Sequence, residues 1–243
     1  MRSSRSRPDR ASQTVDPLAP GRNGFAHRGL HRAPGIVENS LTSFAASLEL
    51  GAGIECDLRL TADDQILVFH DADAARLCGS PDVIGQSTLT ELAHLAVGGQ
   101  PLPTLAQLLA LVAGRAPMLL EAKIDGDLWR FGHALVAALD GYTGPYGVMS
   151  FDPRLMRWLR TNAPHMRRGL VIRDSLSPLA RWGAMKLADP AFLAVDVAAI
   201  ERPWVAAARA KMPVYTWTVR TRDDRRRALP CADALIWEAH GRS

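Results

Sequence analysis

From Gly24 onward, two hydrophobic rhythms alternate along the chain. Short, nearly continuous apolar runs recur as GFAHRG (24–29), GIECDLRL (53–60), PMLLEAKI (117–124), YGVMSF (146–151), RRGLVI (167–172), FLAVDV (192–197), PVYTWTV (213–219) and ADALIWE (232–238). Runs of that length and character predict parallel strands whose outer face is covered. Between them, apolar residues recur at helical spacing behind recognisable start signals. Asn39 or Ser40 can cap a helix that puts Leu41, Phe44, Ala45 and Leu48 on one face, with Gly51 just past its end. Thr104 precedes LAQLLALVAG, and Asp152–Pro153 gives an N-cap followed by proline at the first helical position. Pro203 and Thr221 open two more helical segments.

Eight strand-like runs, seven of them followed by helical material, predict an α/β fold of the (β/α)8 TIM barrel type. An open doubly wound sheet is the competitor, and the count of eight units favours the barrel. Only AHGRS follows the eighth run, so no closing eighth helix is evident. A ninth run, QILVFHD (65–71), breaks the alternation, because the four residues TADD are too few for a parallel crossover. It must return on GIECDLRL as a β-hairpin extension after strand two. A turn centred on Asp63–Asp64 would place His70 opposite Asp57, at the C-terminal mouth of that strand.

Composition changes this picture little. Of the 243 residues, 47% are hydrophobic and 22% charged, which suits one large globular domain. No apolar run is long enough to span a bilayer. Residues 1–22 are rich in Arg, Ser and Pro with no apolar core of a secretory signal, and read as a disordered basic tail preceding a domain over 23–243. That tail carries five Arg and two Asp, hence +3 of the chain's net +4. The domain itself is near neutral, which argues against nucleic acid as a partner. Cys56, Cys78 and Cys231 show no paired spacing, as expected of a reduced, cytoplasmic protein. The sequence does not specify an oligomeric state.

The candidate chemistry lies at the strand ends. Glu55 and Asp57, two apart, share one face of a strand, as do Glu121 and Lys123. Three carboxylates converging at a barrel mouth repel one another unless a cation lies between them or some are protonated. All-oxygen ligation suits Mg²⁺ or Ca²⁺ better than zinc. Arg28 and Lys123 add positive charge suited to an anionic substrate, and His27 and His70 can exchange protons near neutral pH. Together these groups describe hydrolysis of a phosphate ester.

HRG, ENS, IECDLRLTADD, VFHD, PTL, LLEAKI and WTV, in that order from about Phe25 to Val219, resemble the glycerophosphodiester phosphodiesterase family. The resemblance implies that His27 and His70 are general acid and base, and that Glu55, Asp57 and Glu121 hold one divalent cation. It further implies that Arg28 and Lys123 contact phosphate, that Glu38 and Asn39 support the site, and that Trp217 lines the pocket beside the glycerol moiety. The expected reaction is metal-dependent hydrolysis of small glycerophosphodiesters to glycerol 3-phosphate and an alcohol. The chain departs from the family pattern in three places. IWE stands where an Asp-containing ITD is usual, WTVR replaces WTVN, and the segment between Asp71 and Pro103 is short. Two alternatives are a lysophospholipase D or sphingomyelinase-D-like enzyme and a non-catalytic glycerol-phosphate binding barrel. The first calls for an apolar or basic mouth surface, which no loop supplies in an evident way. The second leaves the paired histidines without a purpose.

Overall fold

Strand β1 (Phe25–Ala26) pairs in parallel with β2 (Gly53–Leu60), on which β3 (Ile66–Val68) folds back antiparallel. A separate two-stranded hairpin joins β4 (Ala96–Val97) to β5 (Gln100–Pro101). Then come β6 (Met118–Ala122), β7 (Tyr146–Ser150), β8 (Arg168–Ile172), β9 (Phe192–Asp196), β10 (Val214–Val219) and β11 (Ala234–Trp237). From β2 and β6 through β11 each strand is parallel to the next, and β1 pairs with both β2 and β11. Eight parallel strands therefore close into the expected barrel. This computed structural model describes residues 16, 18, 20–31 and 35–242.

Helices α1 (Leu41–Glu49), α2 (Ala75–Cys78), α3 (Leu105–Val112), α4 (Leu128–Leu139), α5 (Pro153–Asn162), α6 (Pro178–Ala188), α7 (Pro203–Arg209) and α8 (Arg222–Ala228) follow in chain order. Their starts obey local chemistry. Ser40 caps α1 in a reciprocal capping box with Ser43, and Thr104 and Thr221 do the same for α3 and α8. Because Ser40 takes the cap, Asn39 is free to adopt a left-handed backbone (φ 53°) and turn its amide towards the barrel mouth. Asp152 caps α5 ahead of Pro153.

Strand alternation splits the apolar residues into two cores. Ile54, Cys56, Leu58, Met118 and Leu120 point outward into a large core shared with the helices. Leu119, Met149, Val171, Ala194 and Ile236 point inward and fill the barrel with Phe25, Phe192 and Tyr215. Glycine makes room for the largest of these side chains. A Cβ at Gly53 would stand 2.5 Å from the Phe25 ring, and one at Gly147 2.7 Å from Leu18.

Leu18 lies within the span read as a tail, yet it is 1% exposed and belongs to the inner core. Asp16 accepts a hydrogen bond from the Tyr215 hydroxyl and pairs with Arg167 Nη2 at 2.8 Å. The end of the basic segment is thus anchored beneath the barrel, because the apolar floor needs a cover and the buried phenol needs a partner. Residues 1–15, 17 and 19 of that segment lie outside the described residues.

At the other terminus only a 3-10 turn, Ala239–Arg242, follows β11 among the described residues. Trp237 fills that flank instead, and its indole Nε1 donates to the Asn23 carbonyl at 2.6 Å. Asn23 in turn donates to the carbonyls of Leu50 and Gly51.

The hairpin register differs by one residue from that expected. Leu58 faces Val68 and Leu60 faces Ile66, so Phe69, not His70, stands opposite Asp57 and donates its N–H to the Asp57 carbonyl at 2.9 Å. The cause is the loop. Thr61 pairs with Gln65 across three residues, with Asp64 in the left-handed region at φ 61°, where a two-residue turn was expected. His70 therefore lies just past the hairpin and still reaches the mouth. Beyond it, residues 72–103 fold into a small cap around Leu67, Phe69, Ala74, Ile84, Leu92, Leu95, Val97 and Leu102. Trp129 is exposed at the start of α4, and Leu179 and Trp182 stand exposed on the first turns of α6. No helix among the described residues is long and apolar enough to cross a membrane.

Candidate active site

In each β/α unit the strand delivers its last inward-facing residue to the C-terminal mouth. On β2 the inward positions are Glu55 and Asp57, on β6 Glu121 followed by Lys123, and after β1 His27. Arg28 leaves β1 in a left-handed conformation (φ 55°), and Gly29 continues the turn at φ 77°. A side chain at Gly29 would overlap Ser43, so only glycine lets the loop close onto α1. This turn aims the Arg28 amide at Glu55 Oε2 (3.0 Å) and its carbonyl at the Asn39 N–H (2.9 Å).

Glu55, Asp57 and Glu121 are buried, and each offers one carboxylate oxygen within 4.8 Å of the others. Glu55 Oε1 has no hydrogen-bond partner although it is fully enclosed. Burial, reinforced by the charges of Asp57 and Glu121, pushes the Glu55 carboxyl well above its usual range. Burial likewise raises Glu121. Asp57 goes the other way: against the cost of burial, Lys123 and Arg28 hold it well below the normal carboxylate range. Lys123 Nζ lies 3.0 Å from Asp57 Oδ1 and also donates to Glu121, while Arg28 Nε lies 3.1 Å from Asp57 Oδ2. Asn39 Nδ2 donates to the same Asp57 Oδ2 at 2.9 Å. An oxygen-only donor set with an orphaned buried oxygen and a carboxyl destabilised by like charge fits a hard divalent cation.

Both histidines are backed by carboxylates. His27 Nδ1 lies 3.1 Å from Glu238 Oε2, and its Nε2 lies 3.9 Å from Glu55 Oε2. His70 Nδ1 lies 2.6 Å from Asp71 Oδ1. Burial lowers the pKa of each ring and outweighs the neighbouring carboxylates, which favours the neutral imidazole. Arg76 of α2 ties the cap to this centre, donating to Asp71 Oδ2 at 2.6 Å and through both terminal nitrogens to Glu38. Glu38 also accepts from Arg28 Nη1 at 2.8 Å. A continuous charged path thus runs from His70 through Asp71, Arg76, Glu38 and Arg28 to Asp57.

Trp217, half-buried at the end of β10, donates its indole N–H to the Ala194 carbonyl at 3.0 Å and meets Phe151 edge-on. Phe151 also lies 5.8 Å below Lys123 Nζ and 4.4 Å from the Arg173 guanidinium. The structure therefore brings His27, Arg28, Glu38, Asn39, Glu55, Asp57, His70, Glu121 and Lys123 into one linked group, with Trp217 on the adjoining wall.

Sequence reasoning did not single out Arg59, Asp71, Arg76, Phe151 or Arg173 for the site. Arg59, two residues past Asp57, donates to the His70 carbonyl at 2.8 Å and pairs with Asp125. The alternation that identified Glu55 and Asp57 extends to Arg59, and the strand-end rule extends to Phe151 and Arg173. Nothing local marks Arg76.

Residues 27–236 match the model of the glycerophosphoryl diester phosphodiesterase family. A glycerophosphodiester phosphodiesterase of Caldanaerobacter subterraneus is 29% identical over 166 residues, covering 63% of this chain and 67% of that protein. A glycerophosphodiester phosphodiesterase structure from Thermotoga maritima superposes with a TM-score of 0.74 at 25% identity, covering 88% of this chain and 92% of that one. A phosphodiesterase from Oleispira antarctica, solved with the product sn-glycerol-3-phosphate, superposes with a TM-score of 0.78 at 21% identity, covering 88% and 91% of the two chains.

Proposed function

The chain belongs to the glycerophosphoryl diester phosphodiesterase family and is a phosphodiesterase, and from that premise we propose that its barrel mouth hydrolyses glycerophosphodiesters to glycerol 3-phosphate and an alcohol. The observation that carries the proposal is the pairing of two histidines, each held through Nδ1 by a carboxylate, around one acidic centre. One ring takes a proton from the attacking oxygen and the other gives one to the leaving alcohol, steps for which imidazoles near pH 7 are suited.

Glu55, Asp57 and Glu121 would hold the cation, Mg²⁺ or Ca²⁺. Bound there, it would supply Lewis-acid stabilisation of charge on the phosphoryl oxygens. The electrostatics support this: three carboxylates against Arg28 and Lys123 leave a net −1, which a divalent cation turns to +1, the complement of a phosphodiester monoanion. Arg28 and Lys123 are themselves oriented by those carboxylates, so they present fixed donors to the phosphate. Glu38 and Asn39 hold Arg28 and Asp57 in place, and Trp217 with Phe151 offers an apolar wall for the glycerol carbons. The product bound in the Oleispira relative supports a glycerol phosphate at this mouth. The three free cysteines support the reducing, cytoplasmic setting expected from the sequence.

Product analysis tests the proposal. Glycerophosphocholine and glycerophosphoethanolamine should release glycerol 3-phosphate with Mg²⁺ or Ca²⁺ present and not in excess chelator. Turnover of a lysophospholipid but not of these soluble diesters would shift the substrate to lipids. Binding of glycerol 3-phosphate without any hydrolysis would reduce the barrel to a binding module.

A further inference from the structure

His27 and His70 come from different parts of the chain, yet each ring is backed by the same sequence of groups: Nδ1 to carboxylate, carboxylate to arginine. For His70 the carboxylate is its own neighbour, Asp71, held by Arg76. For His27 it comes from 211 residues away: Glu238 follows β11, and Arg220, just past β10, donates to Glu238 Oε1. We propose that Glu238 and Arg220 are positioning residues that hold the His27 ring in a single tautomer and orientation, with Nδ1–H directed at Glu238 and Nε2 presented to the substrate. The inference rests on the reading of His27 as a proton-transfer group.

Three features separate this arrangement from an incidental surface ion pair. The first is backbone fixation. His27 N–H donates to the Trp237 carbonyl at 2.9 Å and Glu238 N–H to the Val219 carbonyl at 3.0 Å, so the ends of β1, β11 and β10 are fastened together. The side chains therefore project from fixed points. The second is burial: the His27 and Glu238 side chains are only 9% and 18% exposed, so the contact is largely shielded from water. A carboxylate only accepts hydrogen bonds, so a neutral ring facing it must carry its proton on Nδ1, which leaves the Nε2 lone pair free.

The third feature is the division of the carboxylate. Oε2 serves His27 while Oε1 serves Arg220. His31 Nε2 lies 3.8 Å from the same Oε2 and is the competing partner. By holding Oε1, Arg220 keeps Glu238 from swinging away from His27 towards His31 or solvent. Burial alone would raise the Glu238 pKa, but in the acid range the hydrogen bond and charge of protonated His27, followed by those of Arg220, bring it down to about 2. Glu238 is thus an anion throughout the neutral range.

The test compares H27A, E238A, R220M and R220K in the full chain, using glycerophosphocholine kinetics and ¹⁵N shifts of the His27 ring. H27A should lose most turnover. E238A should lower kcat about 10- to 100-fold, the range seen when the hydrogen-bond partner of a metal-ligating histidine is removed. KM should be nearly unchanged, and the ring should shift from the Nδ1–H form to a mixture of tautomers. R220M should give a smaller loss of kcat in the same direction, and R220K should restore most of it. Arg220 is 59% exposed in its side chain, so R220M keeps the comparison readable even if E238A folds poorly. An inactive H27A alongside E238A and R220M with normal kcat and an unchanged tautomer would overturn the positioning role alone. Full turnover by H27A would overturn the proton-transfer reading and this inference with it.

Discussion

The two ends of the barrel are built on the same strands with opposite chemistry. At the floor, Leu18, Phe25, Phe192 and Tyr215 pack together, and the buried phenol is satisfied by Asp16. Two residues further along four of the strands the composition changes: Phe25 gives way to His27, Leu119 to Glu121, Val171 to Arg173 and Ile236 to Glu238. The floor gains its stability from apolar surface removed from water, which is non-directional and tolerant of who supplies it. The mouth instead places buried charges whose desolvation is offset only by specific partners, so each group depends on its neighbours. Damage at the floor should therefore appear as lost stability, and damage at the mouth as lost chemistry.

The largest effect should come from the histidines. H27A and H70A should each lower kcat about 10²–10⁴-fold, the usual worth of a positioned proton-transfer group. The double variant should be little worse than either single, since groups acting as a unit are not additive. Melting temperatures should barely move. Multiplicative losses in the double variant would show that the two rings act separately.

At the floor, Leu18→Ala should cost about 2–5 kcal/mol by opening a cavity beneath the barrel. Deleting everything before Pro20 should cost at least as much, because Asp16 is lost as well. Below the lowered melting temperature kcat should stay normal. An equilibrium unfolding curve that coincides with that of the intact chain would show that the segment covers nothing.

Smaller effects should separate the cations at the mouth from the metal. Lys123 sits against Asp57 and Glu121, so Lys123→Met should leave metal affinity equal or higher while raising KM for the diester. Weaker metal binding with normal kcat/KM at saturating metal would remove Lys123 from the phosphate contacts. Glu55→Gln should do the reverse, weakening metal binding at least about tenfold, as isothermal calorimetry can read. The metal-free protein should melt higher, because one of three mutually repelling carboxylates is gone.

The smallest effect is a pH dependence. Glu238 titrates from about 4.5 in the unfolded chain to about 2 when folded, so its contribution is fully present above pH 4.5 and is lost as pH falls towards 2. E238A should flatten that part of the melting temperature's acid slope. An unchanged slope would mean that the pairing with His27 and Arg220 contributes no stability in solution.

Much of this was legible in local patterns. The period of two along GIECDLRL places Glu55 and Asp57 on the face opposite Cys56, and the same step separates Glu121 from Lys123. Thr104, Asp152, Pro153 and Thr221 mark helix starts because caps are satisfied within three residues. The hairpin was legible too, but its register was not. Whether two or three residues close the turn depends on Asp64 accepting a left-handed backbone, which TADD does not declare.

The sequence by itself determined the elements, the faces of the strands, and the end of the barrel at which the charged residues meet, because these follow from interactions within a few residues. Only the tertiary structure decided the partners. Glu238 reaches His27 because barrel closure sets β11 beside β1, and Arg76 reaches Asp71 and Glu38 because the cap folds over the mouth. Leu18 and Asp16 were read as tail because two residues carry no periodicity, and they are buried because an apolar floor elsewhere in the chain lay open to them. Contacts of this kind depend on where distant backbone comes to rest, and no local pattern encodes that.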